Sequence, residues 1–522
     1  MSFRRQAILV SVASIALAAS TPAVAGDAHN LILFMPEALP AIGVDQTNAP
    51  TLARLRHEGV SFINSHSGFP RLTAADPLTL TSDLNAESLV AAAAGQYVTA
   101  FINDTRASGA QLSASLQALL SVTLPQFKRA NRPFFLIYRL AEPEDAPPGG
   151  NATRPAFRPD PRAADGALEA IEATLKSLGL YEATNIVVAA EHGFSRVLKV
   201  SHTSRSRTLL PREDTLGTLP PGFLAIDLTA ALQTEDSSVN LFDTDNGHSY
   251  VDWTSGGHPK RGNAVIASDF DPSTPYLTVE SQGAYDSIYL ADSLSKQERR
   301  HTARLIVEAV LEQDYLGGVF VNERRVGQLP GALSMSHIAP GNAAVHQPDI
   351  VVAFASVSDG CAQPLLCTSV IADTPLAEGE GVPNSFSRAG TWTFMAARGP
   401  GFQVRSINRA PASNADVART VAELLHIEIE LASPPEGRVL TESLAGAQNR
   451  SVPPARKHVR NSTPSIEGLI TQVRLQSLGA TTYFDAAVSS LQEHSAQAER
   501  PRWNWHWPRF KRFTVEISDD EE

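Results

Sequence analysis

Three short, almost wholly apolar runs stand out in the first half of the chain. They cover residues 30–35 (NLILFM), 134–138 (FFLIY) and 185–190 (NIVVAA). Short apolar runs without alternation are typical of strands that are buried on both faces of a parallel sheet. The sequence therefore predicts three inner strands of one sheet.

Helical patterns separate these runs. Residues 49–58 carry a proline near the start and are followed by a glycine, and the alanine-rich residues 163–178 have apolar positions at helical spacing. Residues 295–313 and 414–425 are predicted as further helices. Strands that alternate with helices predict an α/β fold, with helices on both faces of a mostly parallel sheet.

The N-terminus has the features of a signal peptide. Arg4 and Arg5 precede an apolar stretch, and Ala23-Val24-Ala25 is a small-x-small cleavage site. The stretch is shorter than the roughly 18–20 residues that a spanning helix needs. We expect cleavage near Ala25 and a periplasmic or secreted mature protein. An uncleaved N-terminal anchor is the alternative.

The mature chain is predicted to consist of one large domain, residues 26–485, and a tail. Residues 201–333 are rich in Gly, Pro, Ser and Asp, and are expected to be inserted loops and short strands over one end of the sheet. The tail, residues 486–522, is first aromatic and basic and then acidic.

The composition of the tail suits weak contact with a membrane surface or another anionic partner. An unstructured terminus, or a segment packed on the protein's own acidic surface, is the alternative. Within residues 502–513 of the tail, aromatic and cationic side chains alternate: Trp503, Trp505, Trp507, Phe510 and Phe513 with Arg502, Arg509, Lys511 and Arg512.

The net charge limits the classes of partner. The formal net charge is −12 at pH 7, and −14 once the two leader arginines are removed, which argues against nucleic acid as a partner.

Cys361 and Cys367 are the two cysteines of the chain. In an exported protein this pair is predicted to form a disulfide. Two free buried thiols are the alternative, whereas a zinc ribbon would need a second cysteine pair.

Acidic residues follow each of the three predicted strands. Glu37 follows the first, Glu142 and Glu144 the second, and Glu191 with His192 the third. Ligands of open α/β sheets bind beyond the carboxyl ends of the strands. A single glutamate there is ordinarily a solvated loop residue, but its recurrence at three strands indicates a candidate site.

Five blocks of the sequence carry a resemblance to a known family. The blocks are NLILFMPEAL (30–39), APTLARLRHEGVSFINSHSGFPRLT (49–73), TNIVVAAEHGFS (184–195), SFSRAGTWTFMAARGPGF (385–402) and SNADVARTVAELLHI (413–427). In this order they resemble the type I phosphodiesterase / nucleotide pyrophosphatase branch of the alkaline phosphatase superfamily, over roughly residues 30–485. The resemblance implies a three-layer α/β/α sandwich with a central, mostly parallel sheet. It also implies two-metal phosphoryl transfer by a threonine or serine at a helix N-terminus.

The resemblance assigns roles to individual residues. Thr73 corresponds to the nucleophile, and His192 to one of the three ligand histidines. The three ligand aspartates correspond to Glu37, Glu144 and Glu191. Glutamate keeps the charge but moves the carboxylate head outward by roughly 1–1.5 Å, whereas metal sites tolerate deviations of only about 0.2 Å.

The other ligand histidines of the family correspond to prolines. Pro148 and Pro383 stand at these positions, and Asn384 stands where the family has the glycine of its late His-Gly motif. Proline offers no side-chain donor or acceptor, so one metal site keeps only Glu144 as a weak remnant, too few ligands for zinc. Asp76 replaces a phosphate-binding asparagine and would repel an anionic ester.

The second metal site keeps a plausible ligand set. Glu37, Thr73, Glu191 and His192 could hold one divalent ion, either zinc, manganese or magnesium. A site without any metal is an equal alternative. A single ion could not clamp the attacking and leaving oxygens as two metals do.

These substitutions predict a catalytically impaired pseudoenzyme that acts as a binding or interaction protein. The alternative is an active phosphomonoesterase or phosphodiesterase that uses Thr73 and one metal, and a third reading is a different reaction at a remodelled site. The flanking core pattern stays consistent, which random decay of the gene would not preserve. His66, His202, His248 and His258 lie in segments that could reach the cleft.

Overall fold

The structure is a computed structural model. Within its described part, no helix is long and apolar enough to cross a membrane. The description covers residues 29–68, 86–105, 112–141, 161–207, 217–339, 347–358, 368–429, 437–447 and 452–491.

The described residues form a mixed α/β protein. Its helices are α1 Pro50–Glu58, α2 Ala86–Ala93, α3 Ala114–Ala118, α4 Leu124–Ala130, α5 Pro161–Ser177, α6 Phe223–Leu232, α7 Lys296–Leu311, α8 Glu323–Val326, α9 Arg388–Thr391 and α10 Asn414–Leu425. Its strands are β1 Asn30–Pro36, β2 Val60–Phe62, β3 Ser65–His66, β4 Val98–Thr105, β5 Phe134–Ala141, β6 Thr184–Ala189, β7 Ser195–Leu198, β8 Val200–Ser201, β9 Gly217–Thr218, β10 Val239–Asp243, β11 Ser249–Tyr250, β12 Ala264–Ser268, β13 Pro275–Ser281, β14 Tyr285–Leu290, β15 Leu316–Val321, β16 Leu333–Ser334, β17 Ile350–Phe354, β18 Ser356–Ser358, β19 Thr368–Ile371, β20 Gly381–Val382, β21 Met395–Arg398, β22 Ser406–Asn408, β23 Ala412–Ser413, β24 Arg456–Asn461, β25 Leu469–Leu478 and β26 Thr481–Leu491.

The three predicted strands are confirmed as β1, β5 and β6, and the four predicted helices as α1, α5, α7 and α10. Local sequence explains the helix starts. Pro50 occupies the first turn of α1. Ser295 and Glu298 form a capping box at α7, and Ser413 and Asp416 form one at α10. Each box satisfies two backbone N–H groups that the first turn leaves without partners.

One seven-stranded sheet contains all three predicted strands. Its strand order is β22-β2-β21-β6-β1-β5-β4, and β6, β1, β5 and β4 run parallel to one another. Phe34 of β1 lies opposite Tyr138 of β5 and Val188 of β6. The carboxyl ends of these adjacent strands therefore meet at one edge of the sheet.

Both faces of this sheet are buried. Ile32 and Phe34 belong to a hydrophobic cluster shared with α1 and α5. Leu31, Leu33 and Met35 belong to another cluster, shared with α2 and α10. Because side chains alternate between the faces of a strand, an apolar run such as β1 supplies both clusters at once.

A second sheet lies largely within residues 201–333, the segment predicted as inserted loops and short strands. It has eight strands in the order β11-β10-β12-β13-β14-β17-β15-β16, antiparallel except for the β15–β16 pair. One face shares a hydrophobic cluster with α6 and α7. The other contributes Phe320 and Val351 to a cluster with Val473 of β25 and Phe484 of β26.

Two buried carboxyl groups connect this second sheet to α6. Asp286 on β14 and Asp373 lie close enough for each to influence the pKa of the other, and neither is exposed to solvent. Asp373 also accepts a hydrogen bond of 2.5 Å from the N–H of Gly222, the residue before α6. The buried Lys199 ammonium lies near both acids and donates to the carbonyl of Thr374. Both acids are completely buried, and Lys199 is 6 % exposed.

Candidate functional site

The structure brings together three of the residues predicted to form the site. The backbone N–H of Glu191 donates to the carbonyl of Pro36 at 3.0 Å, and the N–H of His192 donates to that of Glu37 at 3.1 Å. These bonds continue the β1–β6 pairing past the ends of both strands. Glu37, Glu191 and His192 consequently lie side by side at the carboxyl edge of the sheet.

Arg139, which was not among the predicted site residues, contacts both carboxylates. It lies near the end of β5, opposite Met35 of β1. Its Nε donates to Oε1 of Glu191 at 2.5 Å, and its Nη2 to Oε2 at 3.2 Å. Nη2 also lies 3.7 Å from Oε1 of Glu37. Nη1 donates to the side-chain oxygen of Asn103 at 3.1 Å.

This cluster of Arg139, Glu37 and Glu191 is largely shielded from solvent. The side chains of Arg139 and Glu191 are 6 % and 5 % exposed, whereas that of Glu37 is 21 % exposed. Burial alone would lower the pKa of Arg139, but the hydrogen bonds and charge of Glu191 outweigh burial and raise it. The guanidinium therefore stays charged and offsets one of the two carboxylates.

The described residues of this cluster do not fit a divalent ion. Both carboxylate oxygens of Glu191 already accept hydrogen bonds from Arg139, and a metal at this point would lie beside a buried positive charge. Among the described ranges, no group of three His, Cys, Asp or Glu side chains is arranged to hold a metal. The predicted nucleophile and ligand, Thr73, lies outside those ranges.

The His192 segment is tied closely to the segment that contains Pro383. The ring Nδ1 of His192 lies 2.9 Å from the carbonyl oxygen of Gly193. Gly193 in turn donates to the carbonyl of Gly390 at 2.8 Å. Val382, which precedes Pro383, pairs with Ser195 in the β7–β20 ladder. The segments that contain His192 and Pro383 are thus held next to each other.

Gly193 allows the close approach of these segments. A Cβ atom built on Gly193 would lie 2.0 Å from the backbone oxygen of Ala389, so the backbone of one segment would have to move. We expect Gly193→Ala to destabilise the protein by about 2 kcal/mol or more. A urea-induced unfolding curve measures the difference.

Gly166→Ala is the matched control for that substitution. Gly166 lies inside α5, and a Cβ atom there meets no other atom within 4 Å. This change should stabilise the protein by about 0.5–1 kcal/mol, since alanine is the better helix former. Equal stability of the Gly193→Ala variant and the unmodified protein would contradict the close approach.

The four histidines proposed to reach the cleft have different surroundings. His66 is buried, and its Nε2 lies 2.7 Å from Asp485; burial lowers the pKa of His66 to about 4. His202 lies 3.1 Å from a carboxylate oxygen of Asp314. His258 contacts the carbonyl of the residue after it, and His248 has a left-handed backbone conformation.

Arg139 could have been noticed in the sequence. The run FFLIYRLA is apolar apart from this one charged residue, and a strand buried on both faces has no solvent to receive a charge. A partner of opposite charge was therefore to be expected.

Several predicted residues lie outside the described ranges. They are Thr73, Asp76, Glu142, Glu144, Pro148, Cys361, Cys367, the signal segment 1–25 and the tail from residue 492 onward.

The comparisons with known proteins do not identify the chain. It matches no known protein-family model, and no curated protein matches it significantly.

Proposed function

We propose that the protein is an exported, catalytically impaired member of the alkaline phosphatase superfamily, from the type I phosphodiesterase / nucleotide pyrophosphatase branch. In this proposal it has the three-layer α/β/α sandwich of that superfamily and acts as a binding or interaction protein. The four adjacent parallel strands support the assignment, as do the hydrophobic clusters on both faces of their sheet. Glu37 and Glu191 follow neighbouring strands, as the family's ligands would.

One observation carries the functional part of the proposal. The guanidinium of Arg139 is paired with both Glu37 and Glu191, the carboxylates that a catalytic metal would need. A positive charge held there by two hydrogen bonds to Glu191 competes with any divalent ion for the same oxygens. Without a metal, a threonine hydroxyl at this site would lack the means to lower its pKa and to stabilise the leaving oxygen.

The backbone at residue 384 supports the residue-by-residue correspondence. Asn384 has a φ of 58°, in the left-handed region that glycine adopts without strain and that asparagine tolerates better than most residues. The family has glycine at this position, next to the histidine that corresponds to Pro383. The chain conformation fits the motif, although proline cannot supply its imidazole.

Assays with aryl phosphate monoesters and diesters test the proposal. We expect the purified mature protein to hydrolyse p-nitrophenyl phosphate and bis(p-nitrophenyl) phosphate at rates near background. Chelator treatment and added Mn²⁺ or Zn²⁺ should leave these rates unchanged. Thr73→Ala is the matched control and should behave like the unmodified protein. Substantial turnover that Thr73→Ala removes would sink the pseudoenzyme proposal in favour of a one-metal threonine mechanism.

A further inference from the structure

Two carboxylates at the end of adjacent buried strands need a compensating positive charge. Glu191 is almost fully buried, and both Glu191 and Glu37 contact the guanidinium of Arg139. An unpaired charge removed from water is strongly unfavourable, so such groups are found paired with a cation or bound to a metal. In this chain the positive charge is part of the polypeptide.

We infer that the guanidinium of Arg139 replaces a divalent cation between Glu37 and Glu191, and that Arg139 thereby closes a metal site at these two carboxylates. The inference rests on the proposed function in taking Glu37 and Glu191 as the positions of metal ligands. It goes further in naming the residue that excludes the metal.

The order of the strands allows Arg139 to reach both carboxylates. β5 and β6 flank β1 on opposite sides, and Arg139 on β5 reaches over the end of β1 to Glu191 beyond β6. Its planar group meets Glu191 through two parallel hydrogen bonds and approaches Glu37 from the same nitrogen that makes one of them. A guanidinium is suited to such two-point contact, which a lysine ammonium could not reproduce.

Arg139→Met tests the inference, because methionine keeps an unbranched apolar side chain without the charge. Unmodified and variant proteins are treated with chelator, and then Mn²⁺ or Zn²⁺ is added separately. We expect no metal-dependent change in the unmodified protein. The variant should unfold at a lower temperature without metal, recover by about 3 °C or more in saturating metal, and bind one ion per chain in equilibrium dialysis.

Two further variants separate this effect from general loss of an ion pair. Arg325→Met removes another arginine that lies between two carboxylates, 2.6 Å from Asp349 and 2.9 Å from Asp292. Metal should not stabilise it. The double variant Arg139→Met/Glu191→Gln removes both the cation and one proposed ligand, so it should be more stable than Arg139→Met in chelator and should gain nothing from metal.

Several outcomes would overturn the inference. One is equal metal binding by the unmodified protein and Arg139→Met, and another is equal metal stabilisation of Arg139→Met and Arg325→Met. A third is an Arg139→Met chain that stays unfolded in saturating metal, whether or not the double variant folds. None of these readouts is phosphoesterase activity. An inactive unmodified protein whose Arg139→Met variant binds no metal would leave the proposed function standing and reject the closed metal site.

Discussion

A variant that carries the site residues of the superfamily proposed above and also lacks Arg139 should hydrolyse aryl phosphate esters at least about 100-fold faster than the unmodified protein, which corresponds to roughly 2.7 kcal/mol of transition-state stabilisation. Groups that act as a unit are strongly non-additive, so the single substitutions should have little effect. The restoring set is Glu37→Asp, Asp76→Asn, Glu144→Asp, Pro148→His, Glu191→Asp, Pro383→His and Asn384→Gly, together with Arg139→Met.

The decisive comparison keeps all of these changes except the one at Arg139. With Arg139 present, its guanidinium still lies beside the shortened carboxylates and competes with the metal, so hydrolysis should stay near that of the unmodified protein. Thr73→Ala in the fully restored variant should abolish the gained activity. Initial rates with p-nitrophenyl phosphate, measured in Zn²⁺ and after chelation, make both comparisons. Equal rates with and without Arg139 would show that it does not obstruct the metal.

Asn384→Gly should be the least disruptive change of the set. Asn384 already has a left-handed backbone, where glycine is free of steric strain. Pro383→His restores a backbone N–H and an imidazole next to it. Because Val382 pairs with Ser195 just before this point, the ladder should hold the new histidine near the His192 segment.

The parts of the fold that could be predicted from sequence are those with a local signature. β1, β5 and β6 are apolar runs because both faces of their sheet are covered. The starts of α7 and α10 follow from serine caps that precede acidic residues. Such signals act within a few residues of the chain and need no knowledge of the tertiary structure.

The second sheet was predicted only as inserted loops and short strands, although one of its strands, β17, is an apolar run (IVVAF) of the same length as FFLIY. Residues 201–333, which supply most of its strands, are rich in Gly, Pro, Ser and Asp, and this composition favoured loops. The contact of Arg139 with Glu191 depends on strand order, since a residue of β5 reaches across β1. Spacing along the sequence does not reveal which strands are neighbours.

The buried acids Asp286 and Asp373 could not be predicted from the sequence either. They lie far apart along the chain, and aspartate is ordinarily a surface residue. Burial and the neighbouring Asp373 raise the pKa of Asp286 well above its ordinary value. Burial also raises the pKa of Asp373 to about 6, although the N–H of Gly222 and the charge of Lys199 oppose this. Asp286 therefore holds its proton near neutral pH, beside an Asp373 that is largely ionised.

This proton makes stability depend on pH in an unusual direction. Both acids hold protons in the folded state at pH values where the unfolded chain has released them, so the folded state binds more protons between pH 4 and pH 7. The free energy of unfolding contributed by the pair must then fall as pH rises through this window. Burial lowers the pKa of Lys199 to about 8, so its titration lies above the window.

Asp286→Asn should remove the part of this dependence that Asp286 contributes, because an amide does not titrate and can donate to Asp373 at every pH. Relative to the unmodified protein, the variant should gain about 1 kcal/mol of stability for each pH unit between pH 4 and pH 7, the scale set by one proton. Urea unfolding at pH 4, 5, 6 and 7 measures this difference. An Asp286→Asn variant that is less stable by the same amount at every pH would refute the proton on Asp286.

Asp314→Asn is the control of opposite sign. Burial would raise the pKa of Asp314, but hydrogen bonds from Ser201, His202 and Thr203 outweigh burial and lower it. Its ionised form therefore stabilises the fold above the carboxyl pKa of the unfolded chain, and that contribution is lost as pH falls through the lowered value. Relative to the unmodified protein, the free energy of unfolding of Asp314→Asn should be lowest at pH 7 and should rise as pH falls. That of Asp286→Asn should be highest at pH 7 and should decrease as pH falls. If both variants followed the same trend, the titration of other groups, and not the proton on Asp286, would set the pH dependence.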